Sequence, residues 1–280
     1  MGTPDRISLD NGASAATLTT LGAQLLSWAP TDDKPVLWMS SKAVTDGSRP
    51  IRGGVPVCLP WFGPASLSAA PVEPTARAHG FARMSTWSVV SQDEGAVEFE
   101  LTHGREDHGG TFPHAFTATM SVRLDDADLL VELTMRNDDD HDYLVEAALH
   151  AYVAVGDLKD VTIGGLEDAQ YRDLLDGQVH TQRGEVALVD STDRIYRSCA
   201  PLVIEDPRWL RRICLEKDRS ASTIVWTPWI CGAREIADMD DHEWISFVCV
   251  EAGNVREDAM ELPVGASRTM AISLHVDPLD

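Results

Sequence analysis

The sequence predicts an all-β fold, and three features of the chain support that class. Short runs rich in valine, leucine, threonine and aromatic residues recur between glycine, aspartate and proline residues. Helical periodicity is nearly absent, and only residues 168–175 suggest one short turn of helix. No proline-, serine- or glycine-rich stretch divides the chain into distinct halves, so we expect a single domain over residues 1–280. These features favour a large, mostly antiparallel β-sandwich.

The predicted strands follow one another at short intervals along the whole chain. They cover residues 16–20, 25–28, 36–39, 86–90, 97–101, 116–124, 129–135, 144–155, 161–163, 186–189, 202–204, 212–216, 223–226, 244–251 and 269–276. In the sixth of these, the apolar residues Ala118, Met120, Val122 and Leu124 alternate with polar ones. This alternation is typical of an antiparallel strand with one buried face.

The chain is strongly acidic, with 23 lysine and arginine residues against 45 aspartate and glutamate residues and a net charge of -22. Such a surface repels polyanions, so nucleic acid and anionic membranes are not expected as partners. The longest apolar runs, such as residues 247–250, are far shorter than the roughly 18 residues that span a bilayer. Residues 1–8 lack a signal-peptide pattern, and we expect a cytoplasmic protein.

Searches for common cofactor and metal motifs find nothing. The five cysteines form no CxxC pair and are interpreted as buried small apolar residues in a reducing compartment. No Rossmann glycine motif, Walker loop, HExxH or GxSxG is present. The acidic run 138–142 lacks the glycine and final glutamate of a calcium loop and is interpreted as a solvated hairpin turn. We therefore expect no metal and no other cofactor.

One segment departs from the acidic average. Residues 42–83 contain five basic and two acidic residues, a local charge of +3. The part around residues 49–64 is too rich in proline for regular structure, and long irregular segments in compact domains are often functional. The segment is interpreted either as a surface that handles an anion or as a chance cluster in a stiff cover over one end of the sandwich.

Four side chains stand out as candidates for chemistry. His150 lies in an otherwise apolar run, which fits either a catalytic imidazole or a core histidine with a satisfied hydrogen bond. His79 precedes Gly80, which permits unusual backbone geometry. Glu251 is predicted at a strand end, where side chains reach into clefts. Asp193 stands beside serine and threonine, where turn chemistry is the alternative.

Six ordered motifs resemble those of one enzyme family. They are RGGVPVCLPWFGP at 52–64, HGFAR at 79–83, LHAY at 149–152, TDRIY at 192–196, VWTPW at 225–229 and FVCVE at 247–251. Together they span nearly the whole chain and are similar to the hexose-6-phosphate mutarotases, the glucose-6-phosphate 1-epimerases of the aldose 1-epimerase superfamily. The resemblance implies a galactose-mutarotase-like β-supersandwich that interconverts sugar anomers without a cofactor.

The resemblance also implies roles for two catalytic residues. His150 corresponds to a general acid at the ring oxygen, and Glu251 to a base at the anomeric hydroxyl. An imidazole and a carboxylate that face each other across the sugar supply both proton transfers of ring opening, and they exchange roles for closure.

Five further residues correspond to substrate contacts. His79 and Asp193 resemble ligands of sugar hydroxyls, Trp226 an apolar wall, and Arg52 and Arg83 the ligands of a phosphate, in agreement with the local positive charge. The expected partner is a hexose 6-phosphate, and the protein is expected to be a monomer. Two alternatives remain open, a mutarotase of an unphosphorylated aldose such as galactose and a non-catalytic carbohydrate-binding sandwich.

Overall fold

Antiparallel strands make up most of the regular secondary structure of the protein. The computed structural model describes residues 4–279. Its strands are β1 Arg6–Asp10, β2 Ser14–Thr19, β3 Gln24–Pro30, β4 Val57–Cys58, β5 Ser88–Gln92, β6 Ala96–His103, β7 Phe116–Asp125, β8 Asp128–Asn137, β9 Tyr143–Val145, β10 Ala147–Leu149, β11 Tyr152–Ala154, β12 Thr162–Gly164, β13 Gln170–Asp173, β14 Val179–Thr181, β15 Val186–Ala187, β16 Thr192–Arg197, β17 Leu202–Asp206, β18 Arg211–Asp218, β19 Ser222–Thr227, β20 Phe247–Asn254, β21 Met260–Leu262 and β22 Ser267–Pro278.

The helical segments are short. One α-helix, α1, covers Trp229–Ala233, and 3-10 turns cover Ala65–Leu67, Ala82–Met84, Asp107–Gly110, Leu158–Asp160, Glu243–Ser246 and Arg256–Asp258. Within residues 4–279, no helix has the length and apolar character needed to cross a bilayer.

Two large sheets dominate the architecture. The eight-stranded sheet has the order β14-β13-β16-β19-β20-β10-β4, and β11 also pairs with β20. The nine-stranded sheet has the order β15-β12-β17-β18-β22-β8-β7-β6-β5. A three-stranded sheet, β1-β2-β3, and the pair β21-β9 complete the fold. All of these strand pairs are antiparallel, as the sequence predicts.

The hydrophobic core joins the two large sheets. Met120 and Leu274 of the nine-stranded sheet and Val225 and Val250 of the eight-stranded sheet belong to one continuous cluster of buried side chains. In β7 the apolar residues of the predicted alternation are all buried, and the residues between them are more exposed. Every residue of β20 is buried, because its second face is covered as well. The eight-stranded sheet therefore has a sheltered outer face.

The proline-rich segment covers part of that outer face. Between residues 49 and 83 the regular structure is limited to the two residues of β4 and two 3-10 turns, in agreement with the prediction of a long irregular excursion. At its end His79 and Gly80 both have positive φ angles, 64° and 67°. A side chain at position 80 would collide with the Leu59 carbonyl, so glycine is required there. This turn fixes the position of the His79 backbone.

Four predicted elements are wrong. Residues 36–39 form no strand and make only two isolated bridges, Leu37 with Val153 and Met39 with Gly53. Residues 168–175 form no helical turn, because Gln170–Asp173 is strand β13 and hydrogen-bonds to β14 and β16. The predicted strand 144–155 is three strands, broken at Glu146 and again at residues 150–151. The predicted strand 244–251 begins with a 3-10 turn, and β20 then continues to Asn254, so Glu251 lies inside the strand and not at its end.

Two interpretations of polar residues also need correction. Only Cys58 and Cys249 are buried, whereas Cys199 and Cys231 are exposed and Cys214 is half-buried. The acidic run 138–142 is not fully solvated, because Asp139 is buried and its carboxylate accepts hydrogen bonds from the Arg105 guanidinium and the Ala115 amide.

Candidate active site

A cleft of about 310 Å³ lies on the outer face of the eight-stranded sheet. It contains all seven residues that the sequence predicts for the site. Its lining is Pro50, Arg52, Phe62, Gly63, Pro64, His79, Arg83, His150, Tyr152, Leu174, Asp193, Ile224, Trp226 and Glu251. The floor comes from the strands of the sheet, and the wall comes from the proline-rich excursion.

Strand register brings the floor residues together. In antiparallel strands, directly paired residues point to the same face of the sheet. Asp193 pairs with Trp226 on β19, and Ile224, two residues earlier, pairs with Glu251 on β20. Leu149 pairs with Ala252, which places His150 next to Glu251 just beyond the end of β10. Residues far apart in the sequence therefore lie on two adjacent rungs of one sheet.

His150 and Glu251 contact each other directly. The His150 Nε2 and Glu251 Oε1 atoms are 3.3 Å apart, and their side chains are 10% and 1% exposed. The arrangement differs from the expectation that they face each other across the sugar, because they lie side by side on the floor. Among the described residues, neither Glu251 Oε2 nor His150 Nδ1 has a hydrogen-bond partner.

Burial shifts the pKa values of this pair in opposite directions. Desolvation and the nearby Asp193 raise the pKa of Glu251 well above its ordinary value, although Arg83 opposes the shift. Desolvation, Arg83 and Arg52 lower the pKa of His150 to about 3. A raised pKa makes the carboxylate a stronger base, and the low histidine value keeps the imidazole neutral in the free protein. The pair then holds one titratable proton, which lies on Glu251 while the imidazole is neutral. The 3.3 Å contact between Glu251 Oε1 and His150 Nε2 gives this proton a direct path to the histidine.

Arg52 and Arg83 place positive charge on the same cleft. Arg52 donates through Nε and a terminal nitrogen to Asp238 Oδ1, at 3.3 and 3.2 Å, and through its other terminal nitrogen to the Tyr152 hydroxyl at 3.2 Å. Arg83 donates to the Ala78 carbonyl at 2.8 Å. Its buried Nε has no hydrogen-bond partner among the described residues. Arg83 therefore has donor capacity left for a ligand.

The environment of His79 favours one ring tautomer. The Gly63 amide donates to His79 Nδ1 at 3.2 Å, so Nδ1 is an acceptor and Nε2 carries the proton. Burial and Arg83 lower the pKa of His79 well below its ordinary value, which keeps the ring neutral. His79 is thus a neutral hydrogen-bond donor in the cleft.

Asp193 and Trp226 occupy the rung next to His150 and Glu251. Burial and the nearby Asp173 raise the pKa of Asp193 to about 6. The Trp226 ring is edge-on to His150, with the ring centroids 6.5 Å apart. This rung offers a carboxyl group and an aromatic surface side by side, a combination that suits the hydroxyls and apolar faces of a sugar.

Some supporting residues are absent from the sequence prediction. Tyr152 stacks on His150 with 4.9 Å between ring centroids and also holds Arg52. It lies in a quoted motif, so a signal was available. Asp238 lies in no motif, and only the fold brings it to Arg52. The sequence position of Asp238 gives no indication of this contact.

Glu146 is another missed residue, and it fixes the wall of the cleft. Its fully buried carboxylate accepts hydrogen bonds from the Phe62 amide at 3.0 Å, the Ser68 hydroxyl at 2.6 Å and the Arg256 amide at 2.6 Å. The Arg256 guanidinium forms an ion pair with it at 3.3 Å and donates to the Phe62 carbonyl at 2.9 Å. The Glu146–Arg256 ion pair therefore connects the proline-rich excursion to the end of β20. A charged residue in the apolar run 143–155 was the available signal.

Comparison with known proteins shows the family of this chain. The family model described as aldose 1-epimerase matches residues 5–275. A protein of Escherichia coli (strain K12) named "Putative glucose-6-phosphate 1-epimerase" is 33% identical over 261 residues, which cover 90% of this chain and 84% of that protein. A protein of the same name from Cenchrus ciliaris is 28% identical, over 94% of this chain and 82% of its own length.

Solved structures share the fold of this chain. The crystal structure of YeaD from Salmonella typhimurium, described as a "putative mutarotase", has a TM-score of 0.86 at 27% identity and covers 99% of this chain and 92% of its own. A galactose mutarotase-like protein from Lactobacillus casei, at 19% identity, has a TM-score of 0.79 and covers 98% of this chain and 100% of its own. The predicted galactose-mutarotase-like fold is confirmed. The chain belongs to the aldose 1-epimerase family.

Proposed function

We propose that this protein interconverts the α and β anomers of a hexose 6-phosphate, with glucose 6-phosphate as the favoured substrate. The observation that carries the proposal is the presence of a proton-transferring pair, His150 and Glu251, and two arginines, Arg52 and Arg83, in one cleft. Its volume of about 310 Å³ is at the lower end of the range for small-molecule sites. The names of the relatives support the same activity.

The side-by-side arrangement of the pair suits the reaction. Ring opening removes the proton of the C1 hydroxyl and adds a proton to the ring oxygen, and both oxygens are bonded to C1. The shared proton first moves from Glu251 to His150 across their 3.3 Å contact, so that the Glu251 carboxylate takes the first proton and the His150 imidazolium supplies the second. The aldehyde then rotates about its C1–C2 bond, and the same groups act in reverse to close the ring on the other face. Each proton transfer typically contributes 10²- to 10⁴-fold to the rate.

The phosphate has a second effect on the pair. Arg52 and Arg83 lower the pKa of His150. A bound phosphate dianion offsets both charges, so it raises the pKa of His150 and helps the imidazole to accept and deliver the ring proton. In this account the phosphate improves both binding and acid catalysis.

One observation favours the unphosphorylated-aldose alternative. Arg52 already donates to Asp238 and Tyr152, as a purely structural arginine would. Arg83 keeps a buried Nε without a partner among the described residues, which supports the phosphate proposal. The two alternatives therefore predict different substrate preferences.

The deciding experiment is anomer exchange followed by NMR or polarimetry. Fresh α-glucose 6-phosphate and fresh α-glucose are compared, each corrected for its spontaneous rate. The proposal predicts a much larger kcat/KM for the phosphate. Equal or greater catalysis on glucose would support the unphosphorylated aldose, and catalysis on neither would support a binding protein.

A further inference from the structure

A second group of ligating side chains lies on the nine-stranded sheet, away from the sugar cleft. Cys214 on β18 pairs directly with His275 on β22. Asp277 lies two residues further along β22 and so points to the same face of the sheet. None of the three lines the cleft. The sequence shows no metal-ligand spacing here, because only strand register brings the cysteine and the histidine together.

The geometry of this group is close to that of a metal site. The Cys214 Sγ atom is 3.9 Å from Asp277 Oδ2, and the His275 Nε2 atom is 3.5 Å from the same oxygen. With ordinary zinc bond lengths and tetrahedral angles, a sulfur and an oxygen ligand lie about 3.6 Å apart and a nitrogen and an oxygen ligand about 3.4 Å apart. Shifts of a few tenths of an ångström would bring the Asp277 oxygen to both of these distances, and the ligand atoms of all three residues lie within 4.8 Å of one another.

We propose that Cys214, His275 and Asp277 form a three-ligand site for a divalent transition metal ion of the zinc class. A thiolate, an imidazole and a carboxylate suit zinc and cobalt, whereas magnesium and calcium prefer oxygen ligands alone. Three protein ligands leave the fourth tetrahedral position to water or another small ligand. The His275 and Asp277 side chains are 34% and 57% exposed, so an ion can reach them.

Charged residues of both signs flank this group. Arg212 lies opposite Asp277 and forms an ion pair with Glu205, Nε to Oε1, at 2.9 Å. Glu216, two residues from Cys214 on the same face, adds negative charge. The thiolate, and not the thiol, is the metal ligand, so metal binding displaces the proton of Cys214.

A competing cluster is less suitable. His114, Asp139 and His141 also have ligand atoms close together. The Asp139 carboxylate, however, is already occupied by the Arg105 guanidinium and the Ala115 amide. A metal ion there would have to displace an arginine from a buried carboxylate. The Asp139 side chain is also fully buried, whereas the His275 and Asp277 side chains are partly exposed, so the sheet-surface group is the better metal site.

A metal ion at this site would join β22 to β18, so it would stabilise the fold without taking part in mutarotation. The test uses the full chain, reduced and stripped with EDTA, and titrates it with Co²⁺. We expect a thiolate-to-cobalt charge-transfer band in the near ultraviolet and its loss when Zn²⁺ is added. Cys214→Ser should abolish the band, and His275→Gln should raise the Kd for Co²⁺ by roughly tenfold or more.

Matched controls separate this site from others. Cys199→Ser and Cys231→Ser remove the two exposed cysteines, and His141→Gln removes a ligand of the competing cluster. All three should keep the band. A saturating Zn²⁺ concentration should raise the Tm of the wild type but not that of Cys214→Ser. Mutarotation should be unchanged in Cys214→Ser, so the two proposals can fail separately.

Three results would overturn the inference. They are the absence of a band in the wild type, a band that persists in Cys214→Ser, and a band that Cys199→Ser or Cys231→Ser removes as fully as Cys214→Ser does.

Discussion

His150 Nε2 lies 3.3 Å from Glu251 Oε1, and both side chains are almost out of contact with solvent. His150 lies just beyond the end of β10, and Glu251 lies on the neighbouring strand β20. A proton on one group is therefore within reach of the other, and removing either group changes the charge that its partner can carry. In the proposed reaction the two act as one unit that holds a single proton. Oppositely shifted pKa values make that state the stable one.

The first prediction concerns pH. The kcat/KM profile should be bell-shaped, since activity requires one proton on the pair. The acidic limb arises as His150 accepts a second proton near pH 3, and the alkaline limb arises as the shared proton is lost above the ordinary carboxyl range. Arg83 lowers both pKa values, so Arg83→Met should move both limbs to higher pH. Circular dichroism at each pH defines the range in which the enzyme is folded.

The wild type and Arg83→Met are compared on the same substrate, so the ionisation of the substrate phosphate contributes to both pH profiles. Limbs that stay in place, or that move to lower pH in Arg83→Met, would show that the pair does not control the profile.

The second prediction concerns the phosphate. Arg83→Ala should reduce kcat/KM for glucose 6-phosphate by roughly 10- to 150-fold, because each charge-assisted hydrogen bond is worth about 1.5–3 kcal/mol. Any activity on free glucose should change little. Arg52→Ala should behave similarly, with some added loss of stability since Asp238 is left without its cation. Equal losses on both sugars would identify the arginines as structural.

The third prediction concerns Asp193 and stability. Its pKa rises from 3.8 to about 6 on folding, so unfolding lets it ionise more readily. The resulting cost to stability is absent below pH 3.8, grows between these values and is complete above about pH 6. Asp193→Asn should therefore raise the Tm at pH 7 but not at pH 3.5, while it lowers kcat/KM. A Tm gain that is the same at both pH values would rule out ionisation as its cause.

The fourth prediction concerns the wall of the cleft. Glu146→Gln leaves the buried Arg256 guanidinium without its counter-ion and should reduce the free energy of unfolding by about 3–5 kcal/mol. Urea unfolding measures this change. The matched control is Glu257→Gln, which breaks the exposed pair with Arg172 and should cost no more than about 1 kcal/mol. Similar losses in both variants would mean that burial gives the Glu146 pair no special weight.

The sequence predicts the fold class because strand periodicity is a local signal. Ala118 and Met120 reveal the buried face of β7 without knowledge of any neighbour. The pairing of β13 with β16 depends on distant residues, so a helical turn was wrongly expected at 168–175. His150 and Glu251 are found through motifs, although the argument that placed Glu251 at a strand end is wrong.

The contacts that no motif shows are those that strand register or packing creates. Asp238 reaches Arg52 across 186 residues, and Cys214 meets His275 only because β18 and β22 pair in that register. The buried Asp139 carboxylate likewise accepts a hydrogen bond from a residue distant in sequence, the amide of Ala115, which directly precedes β7. Local sequence patterns contain no record of such pairs.

The fifth prediction concerns His150, one member of the proposed catalytic pair. His150→Asn should fold normally and lose most activity, because an amide cannot exchange the ring proton. A variant that fails to fold would instead favour the core-histidine interpretation.

The most direct measurement is the rate of anomer exchange of glucose 6-phosphate by Glu251→Gln, followed by NMR and corrected for the spontaneous rate. The amide keeps the shape of the side chain but cannot accept the anomeric proton. The account predicts a loss of about 10²- to 10⁴-fold in exchange rate, with a Tm close to that of the wild type. A folded Glu251→Gln protein that exchanges anomers at the wild-type rate would contradict it.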